Sequence, residues 1–354
     1  MTTTSIGATT VVLLSSDPLL CDDVGRLSAA AGVEPLMLSD PAAVLAVWSS
    51  AATVLVGAAD AASLAALQPT RREGVHLLVR GSDPAVFRDA VGLGAESVIE
   101  LPHGEEGLLD LLTDADDGAH QPAPLLAVIG GSGGVGASVF AAALAQTMAG
   151  GRVSPLLVDG DPLGAGLDRV LGMEGADGIR WDGLTRSTGR LGARSMRSAL
   201  PSRDGLSVLS WPAETQPAVS APAMREVLAA GVRGFGAVIV DLPRRLDASV
   251  LETLTRCDRV LLIAHASVPG VASAGRLARQ LPRRDSVSLL VREHPRAVKA
   301  ADVADVLELP CWGSVPHQRS ITEAIDLGAG PLRGSKALRR VCASVADRVL
   351  EGLR

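Results

Sequence analysis

The stretch from Leu125 to Ala145 constrains the fold of this chain more than any other part of the sequence. Its first five residues are apolar with strand character, the next seven include five glycines, and the remainder is rich in alanine and helix-forming. A glycine loop between a strand and a helix can turn its backbone N–H groups inward, so that they and the helix N-terminus bind phosphate. The stretch therefore predicts a phosphate-binding loop.

The loop departs from the common phosphate-binding pattern at its lysine positions. The Walker A motif places a lysine before its final Ser or Thr, where this chain has Ala137 before Ser138. The loop most resembles the deviant Walker loop of the ParA/MinD superfamily, whose signature lysine acts across a nucleotide-sandwich dimer; Ser132 stands at that place. The chain has only two lysines, Lys299 and Lys336, but many arginines, so a lysine-poor genome would have kept the charge as arginine.

Composition limits the classes of protein that the chain can belong to. Its 354 residues are enough for two domains, and 47% hydrophobic content with a net charge of -6 favours a soluble globular protein over a generic nucleic-acid binder. Three Phe, four Trp and no Tyr argue against a stacking platform for single strands. Neither a signal peptide nor a membrane span is recognisable, and the four cysteines form no CxxC pair. We expect a cytoplasmic protein without a structural metal, with the inner face of the membrane as a second location.

The N-terminal part alternates five apolar runs with five helical segments, starting at Val11. The helices are predicted near residues 19–31, 41–49, 61–67, 84–93 and 104–113. This alternation predicts a parallel, doubly wound α/β sheet. We assign residues 1–8 to a tail and residues 9–113 to this domain, which resembles the CheY-like receiver domain of response regulators, with its flavodoxin-like topology.

The receiver resemblance fails at the positions that carry receiver chemistry. Receivers bind Mg²⁺ through an acidic pair, where this chain has Ser15 and Ser16. Gly57 stands at the place of the phosphoacceptor aspartate, and Leu101 stands at the place of the receiver lysine. Asp60 is a poor substitute because it follows the strand end by three residues. Without these carboxylates there is neither a hard-cation site nor a nucleophile. The resemblance therefore implies a pseudo-receiver that serves for docking.

A polar segment rich in acids and proline, residues 114–124, predicts a linker to a second domain at 125–354. Beyond the glycine loop, strands are predicted at residues 155–159, 206–210, 237–241, 259–264, 287–291 and 312–315. Most are continuous apolar runs, as expected for a parallel sheet buried on both faces. We expect a P-loop NTPase domain of the SIMIBI class, similar to MinD and ParA.

Two further motifs extend the ParA/MinD resemblance. The sequence LLVDGDPLG, with Asp159 and Asp161, resembles switch I, and FGAVIVDLP, with Asp241, resembles Walker B. The resemblance implies that Asp161 orients the attacking water and that Ser138 and Asp241 hold Mg²⁺. It also implies that the nucleotide contacts Gly131, Ser132, Gly133, Gly134, Val135, Gly136, Ala137 and Ser138. The alternative interpretation of each aspartate is a helix cap at a strand end.

The missing loop lysines predict weak ATP and Mg²⁺ binding and weak or absent hydrolysis. Groups that stabilise developing charge in this way are each worth roughly 10² to 10³ in rate. Relatives have an asparagine that recognises adenine, and this chain has Val291, before Arg292, at that place. The sequence therefore does not predict recognition of the base. An alternative is a working ATPase in which an arginine replaces the lysines; Arg152 is the nearest in sequence.

The segment from Ala301 to Arg340 resembles the end of the CpaE/TadZ branch, which pairs a receiver-like domain with a ParA/MinD-like domain. The actinobacterial septum site-determining proteins belong to the same group. The resemblance implies a catalytically impaired spatial regulator or scaffold of division or pilus-assembly machinery, with protein partners and a homodimer. An ATP-dependent dimerising switch is the alternative, and a phosphorylation-driven response regulator is disfavoured.

Two surfaces carry regularly spaced charge or apolar residues. The spacing of Arg186, Arg190, Arg194 and Arg197 would align them on one helical face, for which a solvated surface is favoured over DNA or lipid contact. The last predicted helix, residues 336–350, is amphipathic and basic. Because its apolar face lacks Trp and Phe, packing against the sheet is favoured over membrane binding.

Overall fold

The computed structural model describes residues 11–81, 86–117, 122–151, 153–184, 191–212, 219–293 and 298–351. The chain divides into two compact units. The first comprises residues 1–122 with 192–195, and the second comprises 123–191 with 196–354.

The first unit is a parallel five-stranded sheet in the order β2-β1-β3-β4-β5. Its strands are β1 (Val11–Leu14), β2 (Leu36–Leu38), β3 (Thr53–Gly57), β4 (Val75–Arg80) and β5 (Ser97–Leu101). Its helices are α1 (Pro18–Ala31), α2 (Pro41–Val47), α3 (Ala58–Ala66), α4 (Val86–Leu93) and α5 (Glu105–Asp117). Asp17 and Asp40 cap α1 and α2, each with proline at the first helical position. The predicted doubly wound parallel sheet is confirmed.

Helix α5 corrects one boundary from the sequence analysis. It ends at Asp117, four residues beyond the predicted end at Thr113, so the first part of the predicted linker is helical. Leu108, Leu112 and Ala115 follow the helical spacing, and all three are buried. The apolar face therefore continues past the point at which the acidic composition indicated a linker.

The second unit contains an eight-stranded sheet in the order β13-β12-β11-β6-β10-β7-β9-β8. Its strands are β6 (Leu125–Gly130), β7 (Pro155–Asp159), β8 (Ser202–Arg203), β9 (Leu206–Leu209), β10 (Ala237–Leu242), β11 (Arg259–His265), β12 (Val287–Arg292) and β13 (Cys311–Val315). Seven strands are parallel, within two residues of their predicted bounds, and the two-residue β8, too short to carry a pattern, pairs antiparallel with β9. The predicted α/β fold with a parallel sheet is confirmed.

Helices cover both faces of this sheet. They are α6 (Ala137–Gly150), α7 (Leu167–Val170), α8 (Trp181–Leu184), α9 (Ala193–Ala199), α10 (Ala221–Gly234), α11 (Ala248–Arg256), α12 (Val268–Ala278), α13 (Ala300–Leu307), α14 (Arg319–Asp326) and α15 (Lys336–Glu351). Alternate residues of β6 and β10 enter two separate hydrophobic clusters, one on each side of the sheet. The central strands are thus buried on both faces, which fixes the strand ends where the glycine loop begins.

Two of the four arginines in the predicted stripe lie among the described residues. Arg194 and Arg197 lie on the short helix α9, while Arg186 and Arg190 lie outside the described residues. The Arg197 guanidinium donates to the Gly234 carbonyl and lies 5.6 Å from the centre of the Phe235 ring. Gly189 and Gly192 interrupt the arginine spacing, because glycine weakens a helix interior.

Helix α15 packs its apolar face into the core, as expected. Leu338, Cys342, Val345 and Val349 are buried in the same cluster as the residues of α6. Among the described residues, no helix is long and apolar enough to cross a membrane.

Candidate functional site

The glycine loop connects the end of β6 to the first residue of α6. Gly134 and Gly136 have φ angles of 71° and 91°, in the left-handed region that favours glycine, and Gly136 caps α6. The Gly131 amide donates to the Ile263 carbonyl at 2.8 Å, and the Gly131 carbonyl accepts from the Ser273 hydroxyl at 2.7 Å. The loop is therefore held by β11 and α12.

The two sides of the loop differ in the space that they leave. A Cβ at Gly131 would lie 2.7 Å from the Ala274 Cβ and 3.1 Å from the Ile263 carbonyl oxygen. Gly133 and Gly134 are exposed, and a Cβ there would meet no heavy atom within 4 Å. The loop is closely packed behind and open in front, as a phosphate-binding loop requires.

Asp241 is the penultimate residue of the fully buried strand β10, and its side chain meets Ser138 at the start of α6. Its side chain is 3% exposed, and its Oδ1 atom has no hydrogen-bond partner among the described residues. Burial raises the pKa of Asp241 to about 8; a hydrogen bond from Ser138 opposes this shift, and the charges of Asp159 and Asp161 add to it. The structure thus brings Ser138 and Asp241 together, as the sequence motifs predict.

This pair fits a divalent cation. A buried carboxylate oxygen without a partner, beside a hydroxyl, offers the oxygen ligands that Mg²⁺ prefers. Among the described residues, no group of three or more His, Cys, Asp or Glu side chains could hold a metal ion. Mg²⁺ at phosphate-binding sites usually takes only one or two carboxylates and completes its shell with water and phosphate, so the residues present fit the ion.

Asp159 organises the segment that follows β7. Its carboxylate accepts from the Leu167 amide at 2.9 Å, the Asp161 amide at 3.2 Å and the Ser210 hydroxyl at 3.2 Å. Burial raises the pKa of Asp159 to about 6, and these three hydrogen bonds oppose the shift. Because the Leu167 amide opens α7, the helix-cap interpretation describes part of the role of Asp159.

Asp161 lies at the same edge of the sheet, and its position depends on Gly160. Asp241 and Asp159 face each other in the pairing of β10 with β7, and the Gly160 amide donates to the Asp241 carbonyl at 2.8 Å. A Cβ at Gly160 would lie 2.6 Å from that carbonyl oxygen. Asp161 is half-buried, and its Oδ1 accepts from the Leu163 amide at 3.0 Å. The glycine between the two aspartates is therefore required by this close approach.

Sequence reasoning missed a polar network behind Asp159. The buried Asp168 accepts from the Ser210 hydroxyl at 3.0 Å and from Arg180 Nε at 3.1 Å. The three residues lie on separate segments, so no spacing in the sequence connects them. The sequence offers little signal, because Asp168 stands beside Arg169 in the short segment Leu167–Val170 and resembles an ordinary surface pair.

Arg292, the last residue of β12, lies next to the glycine loop. Its Nη1 atom is 3.7 Å, and its Cζ atom 4.0 Å, from the position that a Cβ of Gly136 would occupy. The side chain is half-buried, and burial lowers its pKa. The sequence analysis mentioned Arg292 only as the neighbour of Val291, and Arg152 lies outside the described residues.

The receiver-like unit shows how its altered positions are filled. A Cβ at Gly57 would lie 3.0 Å from Ser15 Oγ and 3.1 Å from Leu20 Cδ2. Asp60 is 9% exposed, and its Oδ2 accepts from the Ser16 amide at 2.7 Å and the Ser16 hydroxyl at 3.0 Å. The nearest carboxylate is thus engaged by Ser16, and the space beside Gly57 is occupied.

Comparison with known proteins matches both units. The family model described as Rv3660c-like, CheY-like N-terminal domain matches residues 14–123. The protein Rv3660c of Mycobacterium tuberculosis strain H37Rv is 37% identical over 343 residues, which cover 95% of each chain.

Solved structures match the second unit. The septum site-determining protein MinD of Pyrococcus horikoshii, in complex with Mg-ADP, is 16% identical with a TM-score of 0.54, covering 64% of this chain and 96% of that chain. MinD in the MinC:MinD cell division complex of Aquifex aeolicus is 19% identical with a TM-score of 0.51, covering 63% and 96%. At these identities the likeness shows a shared fold.

Proposed function

Because this chain belongs to the family of Rv3660c-like proteins, with a CheY-like unit before a unit of the MinD/ParA fold, we propose that it is a catalytically impaired spatial regulator. It acts as a scaffold that places the division septum or localises pilus or secretion machinery. The first unit serves as its docking module, and the second serves as its nucleotide-fold module.

The observation that carries this proposal is a phosphate-binding loop without lysine. The glycine scaffold is intact, but Ala137 and Ser132 stand where ParA/MinD relatives carry lysines. Backbone N–H groups at the loop and helix N-terminus still favour an anion. A lysine that stabilises the charge developing on the transferred phosphate is absent, which costs roughly 10² to 10³ in rate. Binding is therefore retained better than hydrolysis.

The residues that would hold a nucleotide follow from the same geometry. The loop from Gly131 to Ser138 would contact the phosphates, and Ser138 with Asp241 would hold Mg²⁺, which neutralises phosphate charge when bound. Asp161 lies at the edge where a water would be oriented, in a vestigial role. ATP and Mg²⁺ are accordingly weak ligands in this proposal.

Partner binding is the positive part of the function. The Aquifex aeolicus structure contains MinD together with MinC, so this fold supports a protein partner. The first unit has glycine, Gly57, at the phosphoacceptor place and keeps the five-stranded CheY-like sheet, which suits docking rather than phosphotransfer. In this proposal the protein binds partners from the division or pilus machinery and forms a homodimer. It is located in the cytoplasm, also at the inner face of the membrane, and contacts with DNA or lipid are not favoured.

The test restores the missing charge. Wild-type protein, Ala137→Lys and the uncharged control Ala137→Gln are compared for ATP hydrolysis with Mg²⁺. We expect background rates for wild type and Ala137→Gln and a rate raised on the order of 10²-fold or more for Ala137→Lys. In cells, a fluorescent fusion should form discrete foci with wild type and Ala137→Gln alike. Substantial wild-type turnover, or a diffuse fusion, would contradict the proposal.

A second candidate function, an ATP-dependent dimerising switch, is favoured by the position of Arg292. The Arg292 guanidinium beside Gly136 places a cation at the loop, although the loop itself contains no lysine. ATP-dependent dimerisation of the wild-type chain would support this function over the first.

A further inference from the structure

Arg292 reaches the loop because of strand order and register. Strand β12 pairs with β11, which pairs with β6, so two inter-strand spacings of about 4.8 Å separate the ends of β12 and β6. In the pairing with β11, Ile263 faces Gly130 and His265 faces Arg292. Arg292 therefore lies two residues beyond the end of β6, at the level of the loop.

The guanidinium of Arg292 has no counter-charge in the described part of the chain. None of the carboxylates or carbonyl oxygens described there accepts a hydrogen bond from it, and burial is the cause of its lowered pKa. Arginine stays protonated under ordinary conditions, so a half-buried charge without a partner is retained at a cost in stability.

Other partly buried arginines in this chain have partners. Arg180 pairs with Asp168 at 3.1 Å, and Arg72 donates to the carbonyls of Trp48, Ala51 and Ala52. The fold thus satisfies guanidinium groups where it buries them. Arg292 has no such partner among the described residues, and it lies beside the phosphate-binding loop.

A second, independent observation points to a ligand at the same loop. Asp241, which is 3% exposed and adjacent to Ser138, has an unpartnered Oδ1. The buried Ser132 hydroxyl in the loop likewise has no partner among the described residues. One cation and two oxygen atoms without partners among the described residues therefore lie beside the glycine loop, which also offers backbone N–H groups. This combination of groups matches a phosphate chain with a divalent cation.

We propose that Arg292 replaces the missing loop lysines as the phosphate-binding cation of this site, so that the loop binds the phosphate chain of a nucleoside di- or triphosphate. This rests on the nucleotide-fold site of the proposed function and specifies how that site keeps a ligand without a loop lysine. The guanidinium is fixed at the end of β12, and it holds the phosphates in place as a binding group.

Calorimetric titration with Mg-ATP and with inorganic tripolyphosphate tests this role. Tripolyphosphate reports the phosphate chain alone, without base or ribose. Wild type is compared with Arg292→Ala, Arg292→Lys and Arg340→Ala, the last being an exposed arginine on α15 as matched control. We expect the affinity of Arg292→Ala for both ligands to be lower than that of wild type by about tenfold or more. Arg292→Lys should lose less affinity, and Arg340→Ala should bind both ligands as wild type does.

A variant that moves the positive charge to another position separates a role in ligand binding from a role in structure. Ala137→Lys combined with Arg292→Ala moves the cation from β12 to α6. Arg292→Ala is therefore compared in the wild-type and the Ala137→Lys backgrounds. If Arg292 acts through its charge, its removal weakens binding less in the Ala137→Lys background; if Arg292 is only structural, the loss of affinity is the same in both. Thermal melts of every variant show whether the fold is kept.

The outcomes distinguish this inference from the proposed function. Equal affinity of Arg292→Ala and wild type, or no binding of either ligand by wild type, would overturn the role of Arg292 and leave an impaired regulator intact. Rapid ATP hydrolysis by wild type would overturn the impaired regulator while leaving the role of Arg292 in binding to stand on its own titration.

Discussion

At the scale of single residues, Asp241 shows that the site is kept at a cost. A carboxylate buried to 3% exposure with an unpartnered oxygen is destabilising, and its pKa is raised to about 8 mainly by burial. A purely structural position would be filled more stably by an apolar or amide side chain. Perturbed carboxyl groups of this kind are concentrated at functional sites.

The pKa of Asp241 predicts how stability depends on pH. In the unfolded chain an aspartate titrates near pH 4, whereas in the fold Asp241 titrates near 8. Between these values the folded state binds the extra proton, so this stabilisation is complete below pH 4 and is lost as pH rises to about 8, at up to about 1.4 kcal/mol per pH unit. We expect Asp241→Asn to be more stable than wild type at pH 8, with a smaller difference at pH 5.

Urea unfolding at both pH values, followed by tryptophan fluorescence, measures this difference. Trp181 and Trp211, with ring centres 5.7 Å apart in the second unit, report its unfolding. The raised pKa of Asp159 adds its own slope in both proteins and cancels in the comparison. Asp347→Asn, an exposed position on α15, should show no such trend. A pH-independent difference for Asp241→Asn would contradict the assigned pKa.

At the scale of elements, the turn from α2 to β3 depends on one side chain from the next connection. The Arg72 guanidinium donates to the carbonyls of Trp48, Ala51 and Ala52, which follow the end of α2 and lack helical partners. Burial lowers the pKa of Arg72, because it removes water from the charged guanidinium.

Replacement of Arg72 should therefore loosen the first unit. Arg72→Met keeps most of the apolar stem but leaves the carbonyls unpaired, and we expect the free energy of unfolding to fall by about 1–3 kcal/mol. The buried Trp48, whose Nε1 donates to the Thr70 carbonyl at 2.8 Å, provides the fluorescence signal for urea unfolding. Arg88→Met, at an exposed position on α4, is the matched control. Equal stability of the two variants would show that Arg72 is dispensable.

Most elements could be predicted from the sequence because they are buried strands and locally signalled loops. The run from Leu125 to Ile129 and the glycines after it specify β6 and its loop without long-range information. Residues whose roles depend on distant contacts could not be predicted. Arg292 approaches Gly136 only through the order of three strands, and Asp168 meets Arg180 through a network involving Ser210.

At the scale of the whole molecule, each unit keeps its parallel sheet, while uncharged residues stand at positions where the two resemblances imply reactive groups. In the first unit, Gly57 stands at the phosphoacceptor place and Ser15 and Leu20 crowd the space beside it. In the second, Ala137 and Ser132 stand at the lysine places while the glycine loop and Asp241 are kept. These replacements agree with the proposed function, in which the protein acts by binding.

The nucleotide dependence of the oligomeric state separates binding from switching. The ParA/MinD resemblance implies a lysine that acts across a sandwich dimer, and this chain has Ser132 at that place, so the loop offers no lysine to a nucleotide bound by a second copy. We expect the molar mass from light scattering, at fixed protein concentration, to be the same with Mg-ATP, with Mg-ADP and without nucleotide. Ser132→Lys combined with Ala137→Lys should gain an ATP-dependent mass increase, which shows that the assay detects the switch. An increase in wild type that requires ATP would favour the dimerising switch, with Arg292 as the cation that makes it possible.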